Sequence, residues 1–290
     1  MTGHDEVSVD QIVMSATETL IAAGVASARV DAESLVAHVL GVSRGRVQAL
    51  AMTGAKLAHS DAVEIGMLTS RRASREPLQH ITGRAAFRRI ELSVGPGVFV
   101  PRPETEGVAG LAIDALRADA SPEPVAVDLG TGSGAIALSL AVEVPHARVF
   151  AVEKSPDAHA WAQRNLDELR LDNARIVLGD LADALPDLDG TVSVVVSNPP
   201  YIPTDAVPRD PEVRLFDPAA ALYGGADGLD VVHAVSKTGL RLLHAGGTIV
   251  IEHGELQGET IRALLAEDGW RATATHPDLT GRPRATTALR

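Results

Sequence analysis

From Val125 to the end, the chain alternates short runs rich in Val, Ile and Leu with segments of helix length, and this rhythm constrains its fold more than any other feature. The strand candidates are Val125–Leu129, Val149–Glu153, Arg175–Leu178, Val192–Ser197, Thr248–Glu252, Arg271–Thr275 and Arg284–Leu289. Helix-length connections imply right-handed crossovers between parallel strands, with helices covering both faces of the sheet. The first four candidates are therefore expected to pair as a parallel sheet in an α/β fold, and the last three bring the count to seven. In such a sheet, ligands bind beyond the carboxyl ends of the strands.

The fourth strand candidate leads into Ser197-Asn198-Pro199-Pro200-Tyr201. Two consecutive prolines cannot donate ladder hydrogen bonds and fix their own φ, so the strand stops at Asn198 in a stiff loop. Asn198 offers a side-chain carbonyl, Pro199 a backbone carbonyl with no N–H of its own, and Tyr201 a flat ring face. Two acceptors and a plane suit a planar NH2 group. Asn-Pro alone is an ordinary turn; the full Asn-Pro-Pro-Tyr run after a buried valine-rich strand points to a binding loop.

The first strand leads into Asp128-Leu129-Gly130-Thr131-Gly132-Ser133-Gly134. Glycines let the backbone approach a ligand, and the next helix presents free N–H groups to an anionic group. Glu153 ends the second strand, where an acidic side chain can accept from ribose hydroxyls. In Gly179-Asp180-Leu181 after the third, a carboxylate can meet an adenine amine and a leucine can pack its ring. Together these imply an adenosine-containing cofactor. Gly130, Gly132 and Ala135 also satisfy a lenient dinucleotide fingerprint, so this loop alone leaves NAD open. The Asn-Pro-Pro-Tyr loop decides, because hydride transfer has no use for an amine clamp.

A net charge of −12, with only two Trp, two Tyr and four Phe, argues against direct nucleic-acid binding, which needs clustered cations and stacking platforms. The absence of cysteine removes disulfides, thiolate metal sites and cysteine nucleophiles. Glu252-His253-Gly254-Glu255 lacks zinc-ligand spacing, so no metal is expected. The polar start, Met1 to Asp10, has no signal-like apolar core, which predicts a soluble cytoplasmic protein with no membrane partner.

Residues 1–75 read as helical. Ser8 with Gln11 forms a capping box before a stripe of Val9, Ile12, Val13, Ala16, Leu20 and Ile21, and Gly24 stops the helix. A second helix fits Asp31–Leu40 with Gly41 ending it, and a third starts after Ser60 and ends before Pro77. Met52 and Met67 are expected to pack in the bundle. Arg71, Arg72, Arg75, Arg84, Arg88 and Arg89 concentrate positive charge, either as a solvated face or as a docking patch for an acidic or RNA-associated macromolecule. A linker hairpin is expected over residues 85–100, where Phe87, Ile90, Leu92 and Val94 roughly alternate before a Gly95-Pro96-Gly97 turn, ahead of a segment, Phe99 to Glu106, that enters a helix; Glu104 and Glu106 suit that helix's first turn.

The paired Asp128–Gly134 and Asn198–Tyr201 motifs resemble those of S-adenosylmethionine-dependent methyltransferases acting on planar nitrogens. Phe99–Glu106, Glu76–Gly83 and Ala221–Asp230 narrow the resemblance to the peptide chain release factor glutamine N5-methyltransferase family. The resemblance implies a seven-stranded Rossmann-like methyltransferase domain over 104–290, preceded by a helical substrate-recognition domain over 1–75 and a hairpin linker over 76–103. It further implies S-adenosyl-L-methionine as donor, S-adenosyl-L-homocysteine as product, and class I release factors as protein substrate. Residue by residue, Asp128 and Gly130, Thr131, Gly132, Ser133 and Gly134 would hold the methionine part, Glu153 the ribose, and Asp180 with Leu181 the adenine. Asn198 and Pro199 would clamp the glutamine NH2 beside the cofactor, and Tyr201, Pro200 and Phe99 would wall the pocket. Glu153 stands where many relatives have Asp, and Pro283 interrupts the usual Gly-Arg-Asp-Arg ending.

An amide nitrogen shares its lone pair with its carbonyl and is a poor nucleophile. Accepting from both of its N–H groups moves density onto nitrogen, and alignment supplies several kcal/mol of the barrier, so no general base or catalytic histidine is required. His80 and His253 are expected to be structural or exposed. The same clamp would suit an adenine NH2 in nucleic acid, a different Gly-Gly-Gln protein, or a non-catalytic cofactor-binding protein.

Overall fold

The computed structural model describes residues 7–290, which form two compact units. One holds the chain through Gly83 together with Arg209–Phe216; the other holds Arg84–Pro208 and Asp217–Arg290. This division differs from the expected boundaries near 75 and 103, because the hairpin falls in the second unit and a piece from beyond the Asn-Pro-Pro-Tyr loop falls in the first. Of the polar start, Met1–Glu6 lie outside the described residues. Among those described, no helix is long and apolar enough to cross a membrane.

The first unit contains α1 (Val9–Ala22), α2 (Ala28–Leu40), α3 (Arg44–Met52), α4 (His59–Ala73) and α5 (Leu78–Thr82). Ser8 Oγ accepts from the Gln11 N–H at 3.3 Å and Gln11 Oε1 accepts from the Ser8 N–H at 2.9 Å, completing the capping box. Val9, Val13, Ala16 and Leu20 face inward. Ile21 does not: it lies roughly 100° further round the helix than Leu20 and is exposed. Met52 and Met67 are exposed as well, against the expectation that they pack. The sequence reading missed α3, which buries Val47 alone and so has no stripe to detect.

The expected concentration of positive charge is internally paired. Arg71 meets Glu76 at 2.5 Å, buried Arg72 bridges Asp31 and Glu212 at 2.7 and 2.8 Å, and Arg75 meets Glu212 at 2.6 Å. In the second unit, Arg84 pairs with Glu168, and Arg88 and Arg89 pair with Glu143. A docking patch needs uncompensated charge, and here carboxylates offset it. Glu212 belongs to the short helix Pro211–Phe216, and these ion pairs hold that helix in the first unit.

The second unit opens with a hairpin of β1 (Arg84–Phe87) and β2 (Ile90–Ser93). It turns at Arg88-Arg89, with Arg88 at φ 51, and not at Gly95-Pro96-Gly97. That second turn instead packs on a tryptophan: Trp161 Nε1 donates to Pro96 O at 3.2 Å, and a Cβ at Gly95 would lie 2.6 Å from the indole. The remaining elements are α6 (Pro103–Ala118), β3 (Val125–Leu129), α7 (Ala135–Glu143), β4 (Arg148–Glu153), α8 (Pro156–Leu169), β5 (Ala174–Leu178) and β6 (Val192–Ser197). After α9, the helix Pro211–Phe216 already described, come α10 (Ala219–Leu222), α11 (Asp230–Leu242), β7 (Leu243–Glu252), α12 (Gly258–Glu267), β8 (Arg271–Pro277) and β9 (Pro283–Leu289).

The seven-stranded sheet runs β5-β4-β3-β6-β7-β9-β8. The first four strand candidates, β3 to β6, pair parallel as expected and β7 continues the pattern, whereas β9 pairs antiparallel with both β7 and β8. The connection from β8 to β9 holds only residues 278–282, too short for a crossover. Asp278 organises it by accepting from Thr280 N at 2.8 Å and Arg282 N at 3.1 Å. One face of the sheet is covered by α6, α7, α8 and the hairpin, the other by α11 and α12. Strand order reverses between β3 and β6, so the loops leaving these two strands are neighbours at a switch point.

Candidate active site

At the β3 end, Gly130, Gly132 and Gly134 have φ of 77, 59 and 86, a region that costs side-chain-bearing residues strain. A Cβ on Gly130 or Gly132 would project into open space, leaving a cradle beside the backbone. Asp128 lies beneath it, almost fully buried. Its Oδ2 accepts from Thr131 Oγ1 at 2.6 Å and Ala137 N at 3.2 Å, while Oδ1 has no hydrogen-bond partner among the described residues. Burial, aided by the nearby Glu153 charge, pushes the Asp128 carboxyl up to about 7. An orphaned acidic oxygen under an open glycine cradle fits a nucleoside that carries a cationic amino-acid tail.

Other predicted cofactor residues are partly engaged. Glu153 accepts from Gly132 N and Ser155 N, both at 2.8 Å, so it is joined directly to the cradle. Ser133 lends its carbonyl to Asn165 Nδ2 at 2.9 Å, and Asn165 also bonds both backbone groups of Ser93 on β2. Asp180 is exposed and bonded to Lys154 at 2.8 Å, which lowers its pKa. Leu181 packs, half-buried, against the core on the α11–α12 side.

At the β6 end, Ser197 Oγ donates to Leu129 O at 2.6 Å, tying the two switch-point strands together. Asn198 Nδ2 donates to Thr105 Oγ1 in the first turn of α6 at 3.4 Å. Pro199 is buried; Pro200 and Tyr201 are partly exposed. Burial, with the adjacent Glu252, pushes the Tyr201 phenol up to about 12. Phe99 lies in the segment entering α6, its ring under the Arg102 guanidinium at 5.0 Å, and Arg102 pairs with Asp217 at 2.5 Å. The structure thus joins Asp128, Thr131, Gly132 and Glu153 into one cluster and Asn198 to α6, whereas Asp180 turns to Lys154.

Residues that were given no site role from the sequence hold the Asn-Pro-Pro-Tyr loop in shape. Gln257 Nε2 donates to Tyr201 O at 3.0 Å while its Oε1 accepts from Gly254 N at 2.9 Å. The loop through Gly224, Gly225 and Gly228 lies against the clamp so closely that a Cβ on Gly224 would be 2.3 Å from Pro200 O. Glu252, at the end of β7, is buried, and burial pushes its carboxyl up to about 7. A charged residue closing a valine- and isoleucine-rich strand was the available signal for Glu252. His253 is fully buried between Gly254 O at 2.8 Å and Thr286 Oγ1 at 3.0 Å, which gives it a structural place.

Residues 11–83 match the family model of the PrmC N-terminal domain, and residues 90–232 match that of the methyltransferase small domain. A release factor glutamine methyltransferase of Streptomyces coelicolor is 51% identical over 95% of this chain and 96% of its own. One from Mycolicibacterium smegmatis is 44% identical, with 96% of both chains covered. A 4-amino-L-phenylalanine/4-methylamino-L-phenylalanine methyltransferase of Streptomyces pristinaespiralis is 39% identical over 92% of this chain and 90% of its own. Among solved structures, a methyltransferase from Pyrococcus furiosus shares the fold at TM-score 0.50 and 19% identity, covering 68% of this chain and 87% of that one. With half its residues shared over almost the whole length of a relative, and the glycine cradle and Asn-Pro-Pro-Tyr loop side by side at the switch point, the chain belongs to the release factor glutamine methyltransferase family.

Proposed function

We propose that this enzyme methylates the side-chain amide nitrogen of the glutamine in the Gly-Gly-Gln motif of class I peptide chain release factors, in the cytoplasm. S-adenosylmethionine, when bound, supplies an electrophilic methyl group on a sulfonium. Gly130 to Gly134 and Asp128 would hold its amino-acid part, Glu153 the ribose, and Asp180 with Leu181 the adenine; for the last role Asp180 must leave Lys154. The helical unit ending at Gly83 is assigned to recognising the release factor.

Asn198 carries the reading. Its nitrogen donates to Thr105, so its Oδ1 is the atom that accepts from a substrate. Together with the Pro199 carbonyl, it takes both hydrogens of a glutamine NH2, orients the nitrogen and raises its electron density. The amide proton becomes acidic only as the new N–C bond forms, so this chain's residues need not remove it first. Tyr201 keeps the amide plane fixed.

Mass spectrometry of purified class I release factor, incubated with enzyme and S-adenosylmethionine, should show one added methyl on the Gly-Gly-Gln glutamine and none when that glutamine is Ala. The Streptomyces pristinaespiralis relative favours a second reading, a free aryl amine, since the clamp suits either NH2. Competition between release factor and 4-amino-L-phenylalanine separates them. Methylation confined to the amino acid would replace the first reading with the second.

The Asp128 assignment has its own signature. In the free enzyme this carboxyl is protonated below about 7, and a cationic ligand lowers its pKa, so binding releases a proton and strengthens as pH rises. Calorimetry should show affinity for S-adenosylmethionine rising by up to about tenfold per pH unit on the approach to neutrality. Asp128→Asn should flatten that slope. A flat wild-type profile would remove Asp128 from the contact.

A further inference from the structure

We propose that Glu252 is a positioning residue for methyl transfer: with Thr105 it holds the Asn198 amide with its nitrogen turned into the protein and its carbonyl oxygen toward the substrate nitrogen. The inference rests on the glutamine-methylating reading and deepens it.

The geometry follows from sheet register. Ile251 pairs with Ser197, so the next residues, Glu252 and Asn198, stand side by side at the ends of β7 and β6. Ile249 and Ile251 belong to the core on the α11–α12 face and Val250 to the opposite one, so Glu252 shares the α6 face with Val250. There α6 supplies Thr105, buried, whose Oγ1 accepts from Asn198 Nδ2 at 3.4 Å. Glu252 is 3% exposed, and hydrogen bonding from Thr105 and Asn198 favours its ionised form. Its Oε2 is buried without a hydrogen-bond partner among the described residues. The clamp chemistry described above leaves this carboxylate without a task, and burial at such a cost calls for one.

A carboxylate only accepts. Facing it, the Thr105 hydroxyl turns its proton toward Glu252, and its lone pairs are left to accept from the Asn198 NH2. Turning the Asn198 amide end for end would set Oδ1 against a buried negative charge. The ionised carboxylate therefore selects one orientation, and by drawing on the N–H2 it also makes Oδ1 a stronger acceptor. A protonated Glu252 can donate, tolerates either end of the amide, and loses the selection. Other groups around it are Glu104 on α6, which is tied to Arg282, and Arg284 on β9, whose charge opposes that of Glu104. The Tyr201 phenol adds no charge near neutrality, and neighbouring His253 bonds to Gly254 and Thr286.

The test is a pH titration of the Asn198 side-chain NH2 resonances in 15N-labelled enzyme, assigned by their loss in Asn198→Ala, beside turnover measurements. The wild-type pair should shift with an inflection near neutrality that is absent in Glu252→Gln. In that isosteric variant kcat should fall on the order of 10- to 100-fold, the worth of one charge-assisted hydrogen bond, and its rising limb with pH should vanish while cofactor affinity holds. Thr105→Val removes the hydroxyl that links Glu252 to Asn198 while leaving residue 252 itself unchanged, and should lose activity that Thr105→Ser recovers. Wild-type kcat and pH profile in Glu252→Gln, or resonances that do not titrate in the wild type, would overturn the proposal. Titrating resonances without methyl on the Gly-Gly-Gln glutamine would overturn the substrate instead and support the held orientation of Asn198.

Discussion

Replacing Asn198 with Ala is expected to lower kcat by roughly 10²- to 10³-fold while cofactor affinity changes little, because the change removes one preorganised acceptor at the reacting nitrogen. The loss should exceed that of an ordinary hydrogen bond, since a glutamine NH2 held by Pro199 alone can rotate about the remaining contact and leave the line of attack. Asn198→Asp gives a sharper comparison. It restores an acceptor of the same size but places a second carboxylate beside Glu252 and removes the N–H that Thr105 receives, so little activity should return. Single-turnover kinetics with saturating release factor, paired with cofactor calorimetry, decides the matter. Near-normal turnover by Asn198→Ala would mean that the Asn-Pro-Pro-Tyr loop is not the clamp.

Gly228→Ala is expected to reduce kcat/KM about 100-fold or more, the usual consequence of moving a positioning group by an ångström or so. Gly228 has φ 79, and an added Cβ would sit 2.3 Å from Tyr201 O, 2.9 Å from its carbonyl carbon and 3.0 Å from Gln257 Nε2. Two of these neighbours are backbone, so the side chain cannot be accommodated by a rotamer change. Either the glycine-rich loop lifts or the Tyr201 carbonyl moves and loses its 3.0 Å bond from Gln257. Gly246→Ala is the control. Gly246 has φ 84 but nothing within 4 Å of its Cβ, so it carries the conformational strain, about 1–3 kcal/mol, without the collision. Thermal melting should fall in both variants, and kcat/KM only in Gly228→Ala. Equal activity in the two would show that the loop does not brace the clamp.

Much of this site was legible before any coordinates. Valines in succession followed by two prolines leave few conformations, and β6 runs over Val192–Ser197 as expected. Gly130, Gly132 and Gly134 adopt positive φ, which their lack of a Cβ permits. Other features were hidden for physical reasons. Helix α3 buries one side chain, so periodicity had nothing to register. The six arginines looked like a patch because neighbours in sequence were counted and partners in space could not be: Glu212, which neutralises Arg72 and Arg75, lies well over a hundred positions away. The direction of strand β9 was not legible, because its apolar pattern carries none. Only the short Asp278–Arg282 turn decides that it returns antiparallel.

Taken alone, the sequence determined the α/β class, the seven strands, the glycine cradle and the stiff Asn-Pro-Pro-Tyr loop, because each depends on local chemistry: chain period, missing N–H groups, missing Cβ atoms. Tertiary structure alone decided what holds them. That Thr105 meets Asn198 across 93 positions, that Gln257 reaches Tyr201 across 56, and that Glu252 comes to lie beside the clamp follow from the strand order at the switch point. Contacts between residues far apart in the chain are set by sheet register and helix packing, and no local pattern encodes them.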